Sequence, residues 1–127
     1  MNNLAEKIAD SEVEIMKVLW DKGDSITFTD IRSVVIERTG WDIATVNTLV
    51  KRLVKKGVLK QEKHDVYFYT ALVTEADYMQ LKTKSLVENV YGGDLKGLLT
   101  TLLQSGDVSE EDLNELRNFW ASGGKNQ

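Results

Sequence analysis

The chain has 127 residues, 42 % apolar and 28 % charged, with a formal net charge of −4. This is about one globular domain, or a small domain with an oligomerisation tail, and not the composition of a disordered chain. No apolar run approaches the roughly 20 residues that span a bilayer, the first residues lack a signal-peptide pattern, and the absence of Cys excludes a disulfide scaffold, a thiolate metal site and a Cys nucleophile. His64 is the single histidine, which leaves little for a His-rich zinc site or a Ser-His-Asp triad. Phosphate-loop, dinucleotide-binding and zinc-protease motifs are missing. The expectation is a small soluble cytoplasmic binding protein, not an enzyme, with neither metal nor cofactor.

Residues 1–9 read as a frayed start. Ser11 and Glu14 have capping-box spacing, in which each side chain satisfies the other's free amide. Ile15, Met16, Leu19 and Trp20 then recur at helical spacing until Gly23, predicting a first helix over 11–22. Ile26–Asp30 supplies a short extended segment and a cap. Ile31, Val34 and Val35 predict a second helix over 28–39, stopped by Gly40. Asp42 caps a third helix over 43–56, whose apolar stripe is Ala44, Val46, Leu49, Val50, Leu53 and Val54. Its other face carries Thr45, Asn47, Thr48, Lys51, Arg52 and Lys55.

After Gly57 the pattern changes to β-rich runs, Val58–Lys63 and Val66–Ala71, separated by the turn His64–Asp65. Strands this short must lean on the helices. Thr74, with Asp77 three residues on, opens a fourth helix over 74–91 that ends at Gly92–Gly93. Asp94 caps a fifth, with Leu95, Leu98, Leu99, Leu102 and Leu103 on one stripe, ended by Gly106. Ser109 and Asp112 open a sixth, carrying Leu113, Leu116, Phe119 and Trp120, before a tail predicted to be disordered from about 122. Glu12/Glu14 and Glu110/Glu111/Asp112 read as first-turn acids that favour the helix dipole, not catalytic carboxylates. Trp20 and Trp41 read as packing residues.

The order helix, helix, helix, hairpin is that of a winged helix-turn-helix. The predicted fold is mainly α (α+β): a winged helix with a two-stranded wing over 1–73, then a three-helix dimerisation region over 74–127. The charge is divided the same way. Residues 1–73 balance 11 bases against 11 acids, and residues 74–127 carry the whole excess of acid. Within the first part, 51–63 holds Lys51, Arg52, Lys55, Lys56, Lys60 and Lys63 against Glu62 alone, a local +5. DNA answers to that local field, since exposed charges are screened beyond about 8 Å at physiological salt.

In a helix-turn-helix the second helix of the pair enters the major groove with its N-terminal end on base edges. Here that end offers Thr45, Asn47 and Thr48, of which Asn can pair with adenine. Lys51, Arg52, Lys55, Lys56, Lys60 and Lys63 suit phosphates, which supply affinity and register. His64 reads as an exposed turn residue, with a phosphate contact as the sharper option. The leucines of the fifth helix, with Leu113, Leu116 and Trp120, need a partner. A second copy fits best, because a two-fold dimer matches a palindromic operator. Packing on the winged domain is the alternative. For the whole chain, a winged helix that docks an acidic protein is the rival to DNA binding.

The chain resembles the penicillinase-repressor (BlaI/MecI/CopY) family over nearly its whole length. The stretches that carry the resemblance are Ser11–Trp20, Trp41–Gly57, Val90–Gly93 and Leu113–Arg117. The resemblance implies a homodimeric transcriptional repressor with an N-terminal winged helix on palindromic double-stranded DNA and a C-terminal dimerisation part. It matches Thr45, Thr48 and Arg52 to recognition-helix positions. Ala44 and Asn47 stand where β-lactam-responsive members resemble one another in carrying basic residues. Those members are cut within the fifth helix under a membrane sensor protease. The corresponding bond here looks like Thr101–Leu102, without the family's Asn-Phe pair. The copper-responsive branch carries C-terminal Cys-x-Cys motifs, so thiolate copper sensing is excluded.

Overall fold

The computed structural model describes residues 4–123. The chain divides into two compact units, one up to Lys82 and one from Thr83.

In the first unit, α1 (Val13–Lys22), α2 (Phe28–Thr39) and α3 (Ile43–Lys55) precede a hairpin of β2 (Leu59–Lys63) and β3 (Tyr67–Ala71). This is a winged helix-turn-helix. A two-residue strand, β1 (Ile26–Thr27), pairs with the outer edge of β3, giving an antiparallel sheet in the order β1-β3-β2. The wing is therefore anchored in a three-stranded sheet rather than standing as two strands alone.

Local chemistry sets the helix ends. Thr27 caps α2 by accepting from the Asp30 amide at 3.2 Å. Gly40 ends α2 at φ 78°, a left-handed conformation that costs glycine little. Asp42 then starts α3 at once, so the helix-turn-helix turn is Gly40–Asp42.

The first helix departs from expectation. It begins at Val13, and no Ser11–Glu14 box forms; Glu14 pairs instead with Lys17 at 3.3 Å. The reason is Glu12, which is wholly buried and accepts from the Ala9 amide at 2.8 Å. The start of the chain is likewise not frayed where it is described. Leu4–Lys7 forms a short 3-10 turn, and Ala5 and Ile8 are buried in the core. This N-terminal strap closes the end of the helical layer.

The core joins all three helices and the sheet: Ile15, Met16 and Leu19 from α1, Ile31 and Val35 from α2, Val46, Leu49, Val50 and Leu53 from α3, and Leu59 and Tyr69 from the sheet. Trp20 packs against it, as expected. Its indole N–H donates to the Val73 carbonyl at 2.8 Å, and its ring lies 5.4 Å from that of Tyr78. Trp41 also packs on the core. Tyr78 belongs to α4 (Glu75–Asn89), which Thr74 caps through the Asp77 amide. Burial of Tyr78 keeps the first turns of α4 with the winged unit, so the division falls inside α4.

The wing turn has three residues, His64–Val66, rather than two, because the His64 amide donates to the Val66 carbonyl at 3.0 Å. That leaves Val66 half exposed at the tip.

The second unit holds the end of α4, then α5 (Leu95–Gln104) and α6 (Glu110–Ala121). Asp94 caps α5 through the Gly97 amide at 3.1 Å. A Cβ at Gly97 would stand 2.6 Å from that carboxylate, so a side chain there would make the cap shift. Ser109 and Asp112 form the expected capping box of α6. Ser122 still donates its amide to Asn118; of the tail expected to be disordered, residues 124–127 lie outside the described residues. No described helix is long and apolar enough to cross a membrane.

Two substitutions in α3 separate the stripe from the surface. Leu53, fully buried, should cost about 2–5 kcal/mol as Leu53→Ala, from lost transfer energy plus a residual cavity. Ile43, half exposed on the same helix, should cost no more than about 0.5 kcal/mol as Ile43→Ala. Urea denaturation of the two variants reads the difference.

Candidate nucleic-acid interface

α3 is divided lengthwise. Val46, Leu49, Val50 and Leu53 are at most 5 % exposed. At 3.6 residues per turn, the opposite face is the row Ala44, Thr48, Lys51 and Lys55, and all four are exposed. Thr45 and Arg52 flank this row on one side and are also exposed; Asn47 flanks it on the other, half-buried, on the side of the wing. A helix so divided can rest on its own core and still offer a full outward face.

The presented chemistry is specific in kind. The Thr48 hydroxyl donates to the Ala44 carbonyl at 2.9 Å, so its proton is spent inside the helix. What Thr48 offers outward is a methyl group and oxygen lone pairs, a match for a thymine methyl or an amino group on a base edge. Among the described residues, none bonds the Asn47 side-chain amide. Asp42 accepts from the Thr45 amide at 2.8 Å and holds the first turn closed. Those hydrogen bonds from Thr45 hold the Asp42 carboxyl below its ordinary pKa.

The basic residues separate into distinct places. Lys51, Arg52 and Lys55 are exposed on the outward side of α3 and make no ion pair among the described residues. Lys56 differs: its ammonium turns inward to Glu12 Oε1 at 2.6 Å and to the Lys7 carbonyl at 2.8 Å. Strand alternation puts Lys60 and Lys63 on opposite faces of the wing. Lys60 lies 3.6 Å from Glu62, an exposed pair of little energetic weight. Lys63 stands 5.6 Å above the Tyr67 ring. His64 is exposed at the turn, edge-on to Phe68.

Between α3 and the wing lies an open groove of about 300 Å³. Asn47 and Lys51 line it from α3, Thr27–Thr29 from the start of α2, and Gln61, Tyr67 and Tyr69 from the sheet. Gln61 donates to the buried Tyr69 hydroxyl at 2.9 Å. Gln61 and Tyr67 were not singled out in the sequence. The signal was present: alternation puts 61, 63, 67 and 69 on one face once the register is known. That register follows from a turn of three residues, not two.

A penicillinase-repressor family model matches residues 8–122. The chain belongs to the penicillinase-repressor family. It is 34 % identical to the penicillinase repressor of Bacillus licheniformis over 87 % of this chain and 86 % of that one. It is 31 % identical to the methicillin resistance regulatory protein MecI of Mammaliicoccus sciuri over 94 % and 97 %. Among solved structures, it is similar to the DNA-binding domain of the repressor BlaI, with a TM-score of 0.53 and 35 % identity over 61 % of this chain and 94 % of that chain. A second similar structure is the monomeric form of Bacillus licheniformis BlaI in complex with the blaP half-operator, with a TM-score of 0.50 and 35 % identity over 56 % and 87 %.

The remaining predicted residues of this penicillinase-repressor relative lie in the second unit. Leu95, Leu99, Leu102, Leu103, Leu116 and Trp120 are exposed, Trp120 to 80 %, while Leu98 and Leu113 are half-buried. No described residue from Thr83 onward is fully buried. The Thr101–Leu102 bond lies inside α5, where the Thr101 hydroxyl donates to the Gly97 carbonyl at 3.0 Å.

The Asp42 cap gives a pH-dependent expectation. Its folded pKa is lowered, so its stabilisation is present above the unfolded Asp pKa and is lost as pH falls through the folded value. Asp42→Ala should therefore lower Tm at pH 7, and the gap to wild type should close on acidification from about pH 4 downward. Asp42→Asn, which keeps the accepting oxygen but cannot titrate, should retain most of the Tm at pH 7, and its Tm difference from Asp42→Ala should not change with pH. A gap that stays constant from pH 7 to 3 would contradict the assignment.

Proposed function

We propose that the chain is a sequence-specific DNA-binding transcriptional repressor, acting in the cytoplasm as a homodimer on a palindromic operator. The observation that carries this reading is α3. It is fixed by its buried stripe and offers Thr45, Asn47 and Thr48 at its N-terminal end, with Lys51, Arg52 and Lys55 further along. The likeness to BlaI in complex with the blaP half-operator supports it. In this reading α3 lies in the major groove, the threonines and Asn47 meet base edges, and Lys51, Arg52, Lys55, Lys60 and Lys63 meet phosphates. In this reading residues 1–73, with the first turns of α4 packed on them, serve DNA binding, and the chain from Thr83 serves dimerisation.

The dimer reading rests on the second unit. Among the described residues, seven exposed large apolar side chains on α5 and α6 (Leu95, Leu99, Leu102, Leu103, Leu116, Phe119, Trp120) offer apolar surface that water disfavours. A second copy covers such a face isologously, and two half-site contacts then act as one strong site through effective concentration. Relief of repression by cleavage at Thr101–Leu102, under a membrane sensor protease, is the regulation proposed. No described residue of α5 is fully buried, so a protease could open the helix locally.

The decisive experiment is retention of genomic fragments by the purified chain at about 150 mM salt, near physiological ionic strength. Enrichment of one palindrome is expected. Uniform, salt-labile retention would leave a non-specific binder, and no retention would favour docking to an acidic protein. Lys51→Ala, Arg52→Ala and Lys55→Ala should each weaken binding to all duplexes and flatten the salt slope by about 1. Thr48→Ala should instead change base preference, by about 1–3 kcal/mol at one position. Equal losses on selected and random duplex for Thr48→Ala would remove it from base reading. For the dimer, Leu99→Ala with Trp120→Ala should raise the dissociation constant at least about tenfold in sedimentation, roughly 1.4 kcal/mol. A wild type that sediments as a monomer at all concentrations would sink the dimer.

A further inference from the structure

Glu12 is the one buried charged side chain among the described residues. Its Oε1 accepts from the Lys56 ammonium at 2.6 Å and from the Ala9 amide at 2.8 Å. Its Oε2 is buried and makes no hydrogen bond among the described residues. Lys56 is 31 % exposed and bonds the Lys7 carbonyl as well. Stability alone gives little reason for this arrangement. Buried ion pairs often do no better than apolar residues of similar volume, and an unsatisfied carboxylate oxygen is a cost.

The position of the pair is informative. Lys56 is the residue at which α3 ends, and its own amide still donates to Arg52 at 2.9 Å. Gly57 follows at φ 83°, and Val58 turns back to the Leu53 carbonyl at 2.9 Å before β2 begins. The strap lies against this turn: a Cβ at Gly57 would sit 3.8 Å from Leu4 Cδ2. So the strap, the start of α1 and the end of α3 are tied together at the point where the chain leaves for the wing.

We infer that Glu12 is a positioning residue for DNA reading: by holding Lys56 it fixes the direction in which β2 leaves α3, and with it the spacing between the α3 face and the Gln61–Lys63–Tyr67 face of the wing. This rests on the DNA-reading function proposed above. It also takes Lys56 out of the set of phosphate contacts. A helix and a wing that grip one duplex tolerate little error in their spacing, and the clamp sits at the hinge between them.

Glu12→Gln tests it, because the amide keeps the size and an oxygen for the Ala9 amide but loses the charge that holds Lys56. The probes are random duplex and the genomic fragment that wild type enriches, with Lys55→Ala as the phosphate-contact reference. The folded Glu12→Gln chain should bind the enriched fragment about tenfold more weakly, the scale of one lost directed contact, with an unchanged salt slope. Its backbone amide signals over 59–71 should shift in the absence of DNA. Unchanged affinity overturns the inference. So does a slope steeper by about 1, which would mean that Glu12 only neutralises a phosphate-binding Lys56. If Glu12→Gln does not fold, the double variant Glu12→Met with Lys56→Met replaces the pair by apolar groups. It should fold and show the same loss, and wild-type affinity in it overturns the inference. Failure of wild type itself to bind any duplex would overturn the DNA-reading function, and the wing amide shifts would still decide the clamp.

Discussion

Everything the winged unit offers to a partner depends on α3 being held along one side only. Its buried stripe, Val46, Leu49, Val50 and Leu53, is the meeting point of the other helices and the sheet. The apolar area removed from water there is what stabilises the unit, at about 25 cal/mol per Å². The geometry of an α-helix then obliges the remaining side chains to face outward in a row. No further device is needed to present Thr48, Lys51 and Lys55. The core specifies the exposed face by specifying the buried one.

The ends of α3 are governed by different physics. At the start, the Asp42 carboxylate accepts from the Thr45 amide and closes the first turn of the end proposed to read bases. That matters because Thr45 and Thr48 can discriminate bases only if their positions are fixed. At the end, a buried carboxylate and an inward-turned lysine hold the junction with the wing. The second unit has no fully buried described residue and carries its leucines outward. In the proposed dimer such a unit would gain stability from assembly, which would couple dimerisation to folding.

Much of this was legible in the sequence, because its causes are local. Gly40 and Asp42 delimit the helix-turn-helix turn by conformational freedom and by capping, and both act within a few residues. The α3 stripe follows from helical periodicity alone, as does the leucine row of α5. The winged-helix order and the penicillinase-repressor kinship followed from these elements and from the Trp41–Gly57 stretch. What was not legible depends on residues far apart in the chain. Glu12 finds Lys56 44 positions away, and the buried Glu12, not Ser11, stands at the start of α1. The strap is ordered by a core its own residues could not reveal. β1 is a strand only because β3 lies beside it. Lys56 read as one more member of a basic run, since a charge count cannot tell an outward ammonium from an inward one.

The central claim is that α3 and the groove-side face of the wing together form the DNA-reading surface. Its most direct test is an amide-signal map of the full chain titrated with the enriched duplex. The account predicts that the largest changes fall over 44–55 and at Gln61, Lys63 and Tyr67, with the outward face of α1 unmoved. Changes confined to α5 and α6, or spread evenly over the surface, would contradict it.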